Sequence, residues 1–138
     1  PISNYADVLH SGNWYDPATS GQGLLVDIVP SINTFFAAWY TYPPVSEGLG
    51  PFNQRWFTLE DNAYTPGDLH LDNVPIVATS GGIFNTPRAT TSVQVGTANV
   101  QFTSCNAMTL QYDFTQGEFK GLSGTIHEQA IDPPSGCR

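Results

Sequence analysis

Along residues 107–114, Met108, Leu110, Tyr112 and Phe114 alternate with Thr109, Gln111 and Asp113. A period of two turns one face toward a core and the other toward water, so this segment predicts a half-buried β-strand. Residues 98–103 repeat the pattern, with Val100 and Phe102 set against Asn99, Gln101 and Thr103, and Leu69 and Leu71 alternate with His70 and Asp72. In residues 24–29, Leu24, Val26 and Ile28 alternate with Leu25, Asp27 and Val29. Residues 34–42 are the most hydrophobic segment: Phe36, Ala38, Tyr40 and Tyr42 share one face, and Phe35, Ala37, Trp39 and Thr41 the other. Both faces cannot belong to one core, so one set must lie outside, against a loop, a partner or a ligand. Further strands are predicted at residues 12–15, 55–60, 92–95 and 121–129. No window repeats with the 3.6-residue period of an amphipathic helix.

Turn signals separate these segments. Residues 30–33 (Pro-Ser-Ile-Asn), Asn106 and Gln116-Gly117 suit tight connections. The longest connection, residues 43–52, carries three prolines and two glycines, and long loops are where function often sits. A degenerate internal repeat runs beneath the pattern. Gly12-x-Trp14-x-x-Pro17 has a counterpart in Gly82-x-Phe84-x-x-Pro87, residues 38–42 in residues 110–114, and residues 58–60 in residues 126–128. The near-constant offset implies two four-stranded halves. The expected fold is therefore all-β, with about eight antiparallel strands in a barrel, slightly favoured over a two-sheet sandwich. It forms one domain over residues 1–138, with residues 1–10 as an N-terminal arm.

Charge narrows the partners. Twelve acidic residues stand against four basic ones, for a net charge of −8. Such a chain repels a phosphate backbone or an anionic membrane, which argues against nucleic-acid and membrane partners. No run approaches the roughly 20 apolar residues of a membrane-spanning helix. Cys105 and Cys137 are an even pair without zinc-site spacing. A disulfide is the first reading, contributing roughly 3 kcal/mol in the chain-entropy model, with two buried free thiols as the alternative. A disulfide implies export. The chain starts with Pro1 rather than Met, and is expected to be a mature form or an excised domain, secreted or periplasmic.

Ser11-Gly12-Asn13-Trp14-Tyr15-Asp16-Pro17 followed by Ser20-Gly21-Gln22-Gly23-Leu24 resembles an N-terminal signature of an exported proteobacterial β-domain family of uncharacterised function. Ala38-Trp39-Tyr40-Thr41-Tyr42, Gln54-Arg55-Trp56-Phe57-Thr58, Gly81-Gly82-Ile83-Phe84 and Cys105-Asn106-Ala107 follow in that family's order. The resemblance implies export, a β fold and the disulfide, and carries over no catalytic residue. Gly12-x-Trp14 also resembles the opening of lipocalins and avidins, in which the Trp plugs one end of an up-and-down barrel.

Surplus rings are the main candidate chemistry: Trp14, Tyr15, Trp39, Tyr40, Tyr42, Trp56 and Phe57. Sugar C–H faces pack on such rings while nearby amides and carboxylates take the hydroxyls; the competing reading is core packing. The ligand-binding candidates are Trp14, Tyr15, Asp16, Trp39, Tyr42 and Trp56. The polar segment 16–23 reads either as a turn or as a hydrogen-bonding rim of Asp16, Thr19, Ser20 and Gln22 beside Trp14. Glu60, Asp61, Asn62, Asp68 and Asp72 form an acidic cluster without the spacing of a Ca²⁺ loop, and read as a solvated surface. His10, His70 and His127 are dispersed. No nucleophile elbow, phosphate loop or metal motif is present, so no cofactor, metal or catalytic residue is expected. The preferred function is a non-catalytic binding module for a glycan or other cell-surface ligand. The alternatives are a protein-interaction or inhibitor domain using residues 43–52, and a small hydrolase with a carboxylate pair drawn from Asp27, Glu47, Glu60, Asp113, Glu118 and Glu128.

Overall fold

The computed structural model describes residues 10–46, 48–50, 52–134 and 137; residues 1–9 of the expected arm and Glu47 lie outside them. Eight antiparallel strands follow one another around a closed barrel: β1 Gly12–Tyr15, β2 Gly23–Val29, β3 Thr34–Thr41, β4 Arg55–Asp61, β5 His70–Ser80, β6 Thr91–Ser104, β7 Ala107–Phe114 and β8 Ser123–Ala130. The barrel reading holds, and every strand neighbour in space is a neighbour in sequence or the pair β1–β8. No helix among the described residues is long and apolar enough to cross a membrane.

The alternating segments behave as their period requires. On β3, Phe35, Ala37, Trp39 and Thr41 are buried, and the other face is directed outward. Two differences from the sequence reading have local causes. Residues 92–95 and 98–103 belong to one strand, β6. Gly96 does not break it: a Cβ there would run into the carbonyl of Asp113, so the glycine lets β6 and β7 approach closely. Strand β5 extends well past Asp72 through a register shift between Leu71 and Val74, where Asn73 adopts a left-handed φ of 55°.

The connections β1–β2, β3–β4, β5–β6 and β7–β8 define the upper end of the barrel, and the other turns the lower end. At the lower end Asn33 closes the β2–β3 turn with φ 53°, donating its N–H to the Pro30 carbonyl. The ladders are uneven around the barrel. Strands β2–β3 and β3–β4 pair along their whole length, whereas β4 meets β5 only at Thr58–Val77 and Leu59–Ile76. β1 meets β8 only at Trp14–Ala130 and Tyr15–Gln129. The barrel is thus two four-stranded halves, β1–β4 and β5–β8, joined by two short seams. In the internal repeat, residues 38–42 and 58–60 map from β3 and β4 onto β7 and β8, four strands on. The match of Gly12 to Gly82 fails, because residues 82–87 lie in the β5–β6 connection rather than in β5.

Side chains fill the interior, as expected of eight strands. Near the lower end Trp14 is buried, with its indole N–H donating to the His10 carbonyl at 2.9 Å and its ring edge-on to Phe102. His10 is itself buried against Phe102 and reaches the Ser104 carbonyl. Farther up, Trp39, Phe57, Tyr112, Phe114 and Phe119 form a continuous ring cluster. Each fully buried side chain of this kind contributes roughly 1.5–3 kcal/mol.

Cys105 and Cys137 form a disulfide with Cα atoms 5.9 Å apart, resolving the choice between bridge and free thiols. It ties the chain end to the β6–β7 turn, beyond the last strand. The double variant Cys105→Ala/Cys137→Ala is expected to lose roughly 3 kcal/mol in urea unfolding relative to the oxidised protein. An unchanged midpoint would show that the bridge restricts little of the unfolded chain.

Candidate functional site

Because the interior is packed, openings arise at the seams. Above the β4–β5 pairs, residues 55–57 and 78–79 diverge around a cleft of about 250 Å³. Phe57, Phe119, Val95 and Ala78 give it apolar walls, while Gln54, Gln116 and Thr79 supply polar groups. Trp56 edges it, 53% exposed, on the outer face opposite Tyr40. Arg55 and Glu118 close one side as a two-pronged pair, with Nε to Oε1 at 2.7 Å and Nη2 to Oε2 at 3.1 Å. Arg55 Nη1 also donates to the Phe52 carbonyl at 2.7 Å, linking the pair to the β3–β4 connection. These hydrogen bonds from Arg55 hold the Glu118 carboxyl below its ordinary range.

A second opening lies at the other seam. Past Tyr15, β1 leaves β8 and turns through a short 3₁₀ segment capped by Asp16, whose Oδ1 accepts the Ala18 N–H at 2.9 Å. Asp16, Thr19, Gln22, Gly23, Trp39, Ile126 and Glu128 line a partly open void of about 20 Å³. Glu128 points inward from β8, only 5% exposed, and its Oε2 has no hydrogen-bond partner. Burial, reinforced by the nearby Asp16 charge, pushes its pKa up to about 7. Gln22 accepts the Thr41 hydroxyl at 2.6 Å beside it.

A third opening, a shallow polar groove of about 450 Å³, crosses the outer faces of β6, β7 and β8. Asn73, Asn99 and Gln111 are linked there through the Asn99 amide. It offers hydrogen bonds without an exposed ring.

The six ligand-binding candidates therefore separate. Trp14 is core, Tyr15 is half-buried on β1, and Asp16 and Trp39 both line the small void. Tyr42 is exposed at the top of the barrel, beside a shallow depression with Ser46 and Leu49. Trp56 alone of the six lines the β4–β5 cleft. Of the two readings of residues 16–23 the turn holds, and its Asp16, Thr19 and Gln22 line a void with Trp39 rather than a rim beside Trp14. Among the described hydrolase carboxylates, Asp27, Glu60, Asp113 and Glu118 are exposed and Glu128 is buried; Glu47 lies outside the described residues. Among the described residues, no three His, Cys, Asp or Glu side chains converge on a point that could hold a metal.

Two features escaped the sequence reading. Ile126, Glu128 and Ala130 share the inward parity of β8 against Thr125, His127 and Gln129, so strand alternation could have shown that Glu128 is buried. The Arg55–Glu118 pair spans 63 residues, and no local signal announces it. Comparison with protein families, curated proteins and solved structures finds no match to this chain.

Proposed function

We propose that the barrel is a non-catalytic, exported binding module that holds one saccharide unit or a similarly small polar ligand in the β4–β5 cleft. The observation that carries this reading is Trp56: a large ring left half in solvent at the mouth of an apolar-walled cleft rimmed by amides and an ion pair. Ligand sites combine apolar walls with a few convergent polar groups in this way. A ring face packs on sugar C–H groups, and Glu118 and Gln116 can accept and donate to hydroxyls.

The hydrolase alternative fares worse on size and pairing. Among the described residues, Glu118 is the only carboxylate lining the cleft. Asp16 and Glu128 have the asymmetry of an acid–base pair, but their void of about 20 Å³ admits no sugar ring.

A glycan array probed with the oxidised protein is expected to show selective binding. Trp56→Ala should weaken that binding on the order of tenfold, a loss of about 1.4 kcal/mol within the range for ring contacts, while unfolding at the wild-type urea midpoint. Retained binding in Trp56→Ala would move the ligand away from this cleft. A blank array would favour a protein partner instead. That second reading has its own support at the upper end, where Val45, Leu49 and Phe52 on one connection and Ile83 and Phe84 on another stand exposed.

A further inference from the structure

We propose that the void between β8 and the β1–β2 connection is a binding site for a single hard cation, with Ca²⁺ the ion that suits it. Glu128 Oε2 is an acceptor buried without a hydrogen-bond partner, on a side chain 5% exposed that lines this void. Native interiors rarely leave such an atom unsatisfied. Asp16, on the facing connection, spends Oδ1 on the Ala18 N–H and keeps its second oxygen available. Gln22 and Thr19 complete the wall with neutral oxygens, and the Gln22 oxygen, already accepting from Thr41, is held in place by that bond.

The donor set selects the class of ion. Every polar group named is a hard oxygen and none is a thiol or imidazole, which suits Ca²⁺ and gives soft metals no ligand. Two carboxylates match a divalent charge. The volume, about 20 Å³, exceeds the roughly 10–15 Å³ needed for one water-sized occupant. Mg²⁺ demands near-octahedral ligands at shorter distances, so this irregular set of side-chain oxygens suits it less well than Ca²⁺.

Position supplies the consequence. The void lies where the β1–β8 ladder stops after two residue pairs, and its two carboxylates come from opposite sides of that seam. An ion bridging them joins the halves of the barrel where backbone hydrogen bonds do not. This site is distinct from the β4–β5 cleft and does not depend on a ligand there.

Calcium titration of the oxidised full chain, after chelator treatment, tests the proposal by calorimetry and by thermal unfolding. The expected result is one Ca²⁺ per chain, a melting temperature that rises with Ca²⁺ as linkage requires, and a change in Trp39 fluorescence. Glu128→Gln and Asp16→Asn should each bind on the order of tenfold or more weakly, since affinity follows the charge count of the ligands. Asp16 lies on a surface turn, so the second variant keeps the test decisive if the first fails to fold. No response to millimolar Ca²⁺, or an equal response in both variants, would overturn the proposal and leave a single buried water as the occupant.

Discussion

Truncating Phe114 to alanine is expected to destabilise the protein by about 4 kcal/mol, within the usual 3–5 kcal/mol range for a buried ring. Phe114 is 2% exposed, and its ring meets Trp39, Phe57, Tyr112 and Phe119 at centroid separations of 5.0–5.7 Å. These partners sit on β3, β4, β7 and the β7–β8 connection, so they belong to both halves of the barrel. The cavity would open beneath the β4–β5 cleft, where only two residue pairs join the strands and little backbone can collapse inward. Urea unfolding followed by Trp fluorescence measures the loss. A loss under about 1.5 kcal/mol, the level of a tolerated volume-conserving swap, would mean that the ring cluster is not the structural centre of the upper barrel.

In calcium-free buffer, stability is expected to fall as pH rises from about 4.5 to 7. Glu128 has its pKa raised from 4.5 to about 7, first by burial and second by the Asp16 charge. Between those values the folded chain keeps a proton that the unfolded chain has released. The folded state therefore loses ground as pH rises, and the effect levels off above about pH 7. A shift of this size corresponds to roughly 3 kcal/mol. Glu128→Gln has the same shape and no charge, so the variant should lack this slope and be the more stable protein at pH 8. Unfolding both proteins at matched pH values cancels the contribution of the other acids. Parallel stability–pH profiles would show that the carboxyl is solvated in the folded state. Saturating Ca²⁺ should raise wild-type stability at pH 8 by more than that of Glu128→Gln, the difference being about 1.4 kcal/mol for each tenfold loss of affinity.

Most of the architecture was legible because strand alternation is a local signal. The segments around Met108–Phe114 and Val100–Phe102 carry their inward and outward faces in their own residue types, and Asn33 and Asn106 mark turns by short-range conformational preference. Residues 92–95 and 98–103 read as two strands on either side of Gly96, because a lone glycine looks the same in sequence whether it ends a strand or admits a close neighbour; the backbone of β7 decides which. The candidate site was less legible for a related reason. Trp14, Trp39 and Trp56 are the same residue type on similar strands, and their burial, 1%, 6% and 53% exposed, depends on what the rest of the barrel places over each ring.

By itself the sequence determined an all-β chain of about eight strands, with a net charge of −8 and two cysteines able to pair, because alternation, turn chemistry and composition act over a few residues at a time. Only the tertiary structure decided that the barrel closes through two short seams. It also decided that Arg55 meets Glu118 and that Glu128 faces Asp16 across a small void. Those arrangements depend on register between strands distant in sequence, and register is set by the simultaneous packing of both halves around one core.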